Sequence, residues 1–172
     1  MNILDSILDI LKGLLQSDNP ADEIPSRQFF PAKDLSEDGY TLIDMLNSIG
    51  HDHVSFCLCD PDKHDMPIIF SSDGFCELTG YSHNEIEGKN CRFLQGKDTC
   101  KDEVNRISLA VKHEKEISVN LLNYKKDGTP FNNEFFLLPL YSDRNKSKLA
   151  YFIGVQCPVA ALGPGQMPKN VG

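Results

Sequence analysis

The segment Gly88-Lys89-Asn90-Cys91-Arg92-Phe93-Leu94-Gln95-Gly96 places one thiol, an arginine and two carboxamides within nine residues. Arg92 offers a planar fork suited to a phosphate, while Asn90 and Gln95 supply donors and acceptors for polar ring or ribitol atoms. Gly88 and Gly96 allow backbone turns where a side chain would clash. That set suits a flavin better than a metal. A cysteine between polar residues is, taken alone, most often a small packed side chain without chemistry. The weight given to Cys91 therefore depends on the rest of the chain.

Three further segments bear on it. Phe70-Ser71-Ser72-Asp73-Gly74-Phe75-Cys76-Glu77-Leu78-Thr79-Gly80-Tyr81 reads as a strand passing into a helix, and Asn123 to Asn133 as a hairpin around Asp127-Gly128. Tyr151-Phe152-Ile153-Gly154-Val155-Gln156 reads as a closing strand. Together with the Cys91 segment, and in this order, they resemble the LOV (light, oxygen or voltage) domains, the flavin-binding branch of the PAS superfamily.

The elements that must position these residues follow from pattern. Val54–Asp60 and Pro67–Phe70 read as strands on either side of a charged turn. Short helices are expected over Phe75–Tyr81, over Ser82–Glu87 with Ser82 and Glu85 forming a capping box, and around Asn90–Leu94. A longer helix is expected from Cys100 to His113, with Val104, Ile107, Leu109 and Val111 as its apolar residues. Three long strands follow, over Glu116–Lys126, Pro130–Tyr141 and Lys148–Cys157. The resemblance implies an α+β PAS fold: a five-stranded antiparallel sheet with helices cupped over one face, spanning residues 54–157.

Residues 1–53 are read as an N-terminal helical extension and linker. Within residues 2–16, Ile3, Leu4, Ile7, Leu8, Leu11, Leu14 and Leu15 recur at helical spacing. This amphipathic helix must fold back on the domain, meet a partner or lie on a membrane surface, and its scarcity of Lys and Arg disfavours the membrane. Ser17–Asp38 reads as a polar, Pro-containing linker with Phe29-Phe30 as a docking point. Residues 40–49 form a second amphipathic helix, capped by Ser36 or Asp38. Residues 158–172, rich in Pro and Gly, are expected to be a disordered tail.

The resemblance assigns roles residue by residue. Cys91 matches the cysteine that forms a reversible covalent adduct with flavin C4a in blue light. Asn123 and Asn133 match the pair that hydrogen-bonds the pyrimidine edge, and Gln156 the glutamine facing N5 and O4, whose amide donates to N5 and, after rotation, accepts from N5–H. Asn90, Arg92 and Gln95 match contacts to the phosphate and ribityl chain. Ile68, Phe75, Leu94, Phe135 and Leu137 match apolar positions around the ring. Cys57 and Cys59, two apart on one strand, should share the face toward it. One position departs from the family: the second phosphate arginine falls on Ser108. Arg106, two residues away, turns to roughly the opposite side of the helix, whereas Lys101 and Lys112 lie nearer that face. FMN is the expected ligand, with FAD and riboflavin as alternatives.

Composition narrows the remaining classes. Seventeen Lys and Arg stand against 25 Asp and Glu, a net charge of −8, and no basic cluster longer than Lys125-Lys126 could follow a phosphate backbone. Direct nucleic-acid binding is not expected. The six cysteines contain no CxxC pair and the start of the chain lacks a basic leader, which fits reduced thiols in the cytoplasm. No apolar stretch is long enough to span a membrane. His51, His53, Cys57 and Cys59 invite a zinc reading, but their spacing matches no zinc pattern, and no metal is expected. No dinucleotide Gly-rich loop suggests an oxidoreductase. The resulting expectation is a non-enzymatic blue-light photoreceptor of the short LOV type, signalling through its N-terminal helices to a homodimer partner or an effector protein. The alternative is a PAS-type ligand-binding or dimerisation module without photochemistry.

Overall fold

The computed structural model describes residues 2–15, 27–49 and 54–159. The elements are α1 (Ile3–Leu15), α2 (Glu37–Ser48), β1 (Ser55–Cys59), β2 (Ile68–Ser71), α3 (Asp73–Thr79), α4 (His83–Ile86), a 3₁₀ turn (Cys91–Leu94), α5 (Lys101–Lys112), β3 (Ile117–Tyr124), β4 (Pro130–Tyr141) and β5 (Leu149–Val159). The strands form one antiparallel sheet in the order β2-β1-β5-β4-β3. This is the α+β arrangement expected, with α3, α4, the 3₁₀ turn and α5 on one face. β5 runs two residues beyond Cys157, because Asn132 and Asn133 of β4 still pair with Val159 and Pro158. The expected disordered tail lies outside the described residues from 160 onward, as do His51 and His53.

Strand alternation divides the side chains between two cores. Phe56, Leu58, Phe136, Leu138, Leu140, Tyr151, Ile153 and Val155 pack outward together with α1 and α2. Cys57, Cys59, Val119, Leu121, Phe135, Leu137 and Phe152 pack inward beneath the helical cup. The β3–β4 hairpin turns at Gly128, whose φ of 87° lies in the left-handed region that a Cβ disfavours. Ser36 caps α2 by accepting from the Gly39 amide, and the Ser82 amide donates to Glu85 as the capping box requires.

α1 folds back on the sheet. Ile7 and Leu11 are buried against α2 and the outer face, each contributing roughly 1.5–3 kcal/mol relative to exposure. The segment before α2 is tied down by specific contacts. Phe29 is buried against Phe70 and Tyr151, while neighbouring Phe30 is 76% exposed. The Ala32 and Lys33 amides donate to the Tyr151 hydroxyl, and Lys33 Nζ donates to Asp60 at 2.6 Å, to Asp62 at 2.9 Å and to the Ala150 carbonyl at 2.9 Å. Among the described residues, no helix is long and apolar enough to cross a membrane.

Candidate functional site

Between the inner sheet face and the cup lies a cavity of about 290 Å³, near the lower end of the roughly 300–1,000 Å³ usual for small-molecule sites. Its sheet wall carries Leu121 and Asn123 from β3, Asn133, Phe135 and Leu137 from β4, and Gly154 and Gln156 from β5. All seven lie on inward-facing positions, since each strand contributes alternate residues. Gly154 keeps this wall open to a close approach: a Cβ there would sit 2.9 Å from the Phe135 ring. The opposite wall is a helical stripe of α5, Val104, Ile107, Ser108 and Val111, spaced at three and four residues.

The 3₁₀ turn closes the third side. Asn90 fixes it at both ends of its carboxamide: Oδ1 accepts from the Arg92 amide at 3.0 Å and Nδ2 donates to the Asp65 carbonyl at 2.8 Å. This carries Cys91, Arg92, Leu94 and Gln95 into the cavity lining. Gly96 permits the chain to leave under Tyr124, whose ring would lie 2.3 Å from any added Cβ.

Three buried amides converge on the cavity. Asn133 Nδ2 donates to Asn123 Oδ1 at 3.0 Å, and the Cys157 amide donates to Asn133 Oδ1 at 3.1 Å. Asn123 Nδ2 donates to the Leu94 carbonyl at 3.3 Å. Gln156 Oε1 accepts from the Ser55 hydroxyl at 2.9 Å, whereas its Nε2 meets only Cys57 Sγ at 4.0 Å. Sulfur is a weak acceptor, so a 3% exposed carboxamide holds donor capacity that the described protein atoms barely use. An acceptor on a bound ligand would satisfy it.

Cys91 is half-buried, with its Sγ 3.5 Å from Cys57 Sγ, and Cys57, Cys59 and Cys91 keep their sulfurs within 4.8 Å of one another. Hydrogen bonds from Cys57 and then Cys59 hold the Cys91 thiol well below its usual range, helped by the nearby Arg92 charge and opposed by burial. Cys57 and Cys59 are pushed up, by their hydrogen bonds within the cluster and by burial.

The sequence-derived site residues thus fall into two groups. Asn90, Cys91, Arg92, Leu94, Gln95, Asn123, Asn133, Phe135, Leu137, Gln156 and Cys59 line the cavity. Ile68, Phe75 and Cys57 do not reach its wall; they are fully buried behind it in the inner core. Several contributors lay outside the sequence reading, among them Leu121 and Gly154 of the sheet wall. Ser55 holds the Gln156 carbonyl oxygen, and Asp65 grips Arg92 with two bonds of 2.6 and 2.7 Å, both side chains remaining about half exposed. Only the α5 stripe could have been extracted from periodicity. Arg106 is turned away and pairs with Glu103, as its helical offset from Ser108 required.

Residues 53–156 match the PAS domain family model. Over 114 residues the chain is 46% identical to phototropin-2 of Oryza sativa subsp. japonica, an alignment covering 66% of this chain and 12% of that protein. It is 42% identical over 112 residues to a blue-light photoreceptor of Listeria monocytogenes, covering 65% of this chain and 43% of the relative. A solved light-oxygen-voltage domain, studied with a flavin analogue, superposes with a TM-score of 0.64 at 36% identity, covering 70% of this chain and 86% of that one. The chain belongs to the PAS family, and within it to the LOV domains. It spans less than half the length of these two full-length relatives.

Proposed function

We propose that this protein is a blue-light receptor module whose cavity holds a flavin, with FMN as the resident form. The observation that carries the reading is the convergence of Asn123, Asn133, Gln156 and the Cys91 thiol on one cavity. The paired asparagines suit the pyrimidine edge of the ring, where a donor and carbonyl acceptors alternate, and Phe135, Leu137 and Leu121 suit its apolar body. When bound, the flavin supplies the light absorption and the electrophilic carbon to which a thiol adds reversibly. The protein contributes placement: the Asn90-braced turn holds Cys91 at the cavity, making the encounter effectively unimolecular.

Gln156 is the reporter. Its carbonyl oxygen is held by Ser55 and its amide nitrogen is nearly free of protein acceptors. Rotation of the carboxamide would exchange these two ends, and the Ser55 hydroxyl can answer by accepting instead of donating. Gln156, Ser55 and Val155 also border a second cavity on the outer side, lined by Ile7, Leu11 and Leu46 of α1 and α2. The signal therefore leaves toward the N-terminal helices, which act on a second copy or an effector protein. Deleting residues 1–16 removes α1, and the lit-minus-dark change in mass by size exclusion with light scattering is expected to disappear while photobleaching persists. A retained light-dependent change would place the output elsewhere.

The phosphate end is the weakly held part. Among the cavity-lining residues Arg92 is the sole cation, and Asp65 already pairs with it. Extraction and mass identification of the bound flavin tests the FMN assignment. Ser108→Arg is expected to raise the preference for FMN over riboflavin by a few-fold to about tenfold. That lies below the about 1.5–3 kcal/mol of a charged hydrogen bond, because position 108 is solvent-exposed and water screens the contact. Isothermal titration of both flavins against both proteins reads the ratio, and an unchanged ratio would mean that the phosphate does not lie beside α5.

A further inference from the structure

The resemblance calls for one cysteine at this site, and the structure has three. Cys57 and Cys59 take consecutive inward positions of β1, and the 3₁₀ turn lowers Cys91 onto them. Among the described residues this is the one cluster of three metal- or redox-competent side chains. The Cys57–Cys91 sulfurs are 3.5 Å apart, and a disulfide needs about 2.05 Å, so a closure of about 1.5 Å would join them. That movement falls on the short 3₁₀ turn, which is anchored chiefly through Asn90, and not on the central strand β1.

We propose that Cys57 and Cys91 form a reversible disulfide when the protein meets a peroxide, Cys91 being the thiol that reacts first and Cys57 the thiol that resolves it. The two have the division of labour that redox-sensing pairs require. Cys91 is only half-buried, on the turn at the cavity's edge where a small oxidant can reach it, and the cluster's hydrogen bonds draw its thiol below the usual range. Cys57 is fully buried directly behind it. In the first step the Cys91 thiolate attacks a peroxide oxygen, the O–O bond breaks, and a sulfenic acid forms with release of water. In the second, Cys57 sulfur attacks Cys91 sulfur, the S–O bond breaks, and a second water leaves with the proton of Cys57. Two thiols have lost two electrons and two protons to one peroxide. Cys59 assists by hydrogen bonding: at i and i+2 on one strand it is poorly placed to bridge Cys57, and Cys57 is the sulfur that meets Cys91 at 3.5 Å.

The consequence for light sensing rests on the proposed function: Cys91 tied to Cys57 has no thiol to offer the flavin, so oxidation silences the photoresponse and reduction restores it. The experiment treats the full-length, flavin-loaded chain with hydrogen peroxide in the dark, caps free thiols with N-ethylmaleimide, and maps peptides without reduction. The expected result is a Cys57–Cys91 linked peptide, lighter by about 2 Da than the sum of its free parts and released by dithiothreitol. Cys59→Ser should retain the link. Cys57→Ser should lack it and leave a Cys91 sulfenic acid that dimedone traps. The light-bleachable fraction of the wild type should fall in proportion to the linked fraction. Recovery of both cysteines as free thiols, or a link involving Cys59, would overturn the proposal even if Cys57→Ser does not fold. A mapped Cys57–Cys91 link in a protein that never bleaches when reduced would instead sink the photoreceptor reading and leave the disulfide standing.

Discussion

Cys91→Ala is expected to purify with flavin bound and to show no reversible bleaching under blue light. The reason is a division of labour visible in the cavity. In the proposed complex the binding contacts would come from Asn123, Asn133, Gln156, Phe135 and Leu137 on the sheet, whereas the nucleophile would come from the 3₁₀ turn. Removing Cys91 Sγ takes away the one thiol that borders the cavity from that side and leaves the sheet wall intact. Cys59 also lines the cavity, so the variant separates two accounts of the chemistry. Absorption spectra before and after illumination give the answer. A Cys91→Ala protein that still bleaches and recovers would show that Cys59, or no cysteine at all, carries the photochemistry, and mass analysis of the illuminated protein would distinguish them.

Gln156→Leu is expected to bleach nearly as the parent does, yet to lose most of its structural response. Leucine preserves the volume and the burial of the side chain but has no ends to exchange, so a proton gained by the ligand has no carboxamide to turn. Stability should also fall by more than a lost surface contact would cost, because the Ser55 hydroxyl would be left buried without its acceptor, a cost of about 1–3 kcal/mol. Ser55→Ala in the same background separates that cost from the loss of signal: it should restore stability without restoring the response. Light-minus-dark infrared difference spectra and hydrogen exchange in α1 are the measurements. An undiminished amide difference signal in Gln156→Leu would remove this residue from the signalling route.

Much of this was legible from the chain because the fold is written in short-range patterns. The alternation of period two in β4 sends Asn133, Phe135 and Leu137 inward and Phe136, Leu138 and Leu140 outward, and the Asp127-Gly128 turn fixes the register that brings Leu121 opposite Asn133. The same rule put Cys57 and Cys59 on one face. What the sequence did not disclose depends on contacts between distant segments. Phe29 and Phe30 are indistinguishable as neighbours, yet one is buried between Phe70 and Tyr151 and the other is exposed. Arg92 reads as a free phosphate ligand until the loop before β2, with positive φ at Asp65 and Met66, delivers a carboxylate to it. Ser55 is an ordinary strand residue until β1 and β5 pair and set it opposite Gln156. Ile68, Phe75 and Cys57 matched ring-facing positions and lie fully buried in the inner core, outside the cavity lining.

The Arg92–Asp65 pair bears on how firmly the ligand's tail is held. Arg92 keeps the Asp65 carboxyl below its usual range, and Asp65 raises the guanidinium in turn. Both groups are exposed, so the exchange of Asp65 for a phosphate would be nearly balanced, which places the selectivity for FMN on whatever cation α5 can add.

The proposed conversion of blue light into a covalent change at Cys91 is tested most directly by absorption. An absorption spectrum of the purified protein is recorded in the dark, after blue illumination, and through recovery in the dark. The visible band of oxidised flavin is expected to disappear on illumination and to return in full by a thermal first-order process. A bound flavin whose spectrum is unaltered by light, or a purified and refolded protein that takes up no flavin, would contradict it.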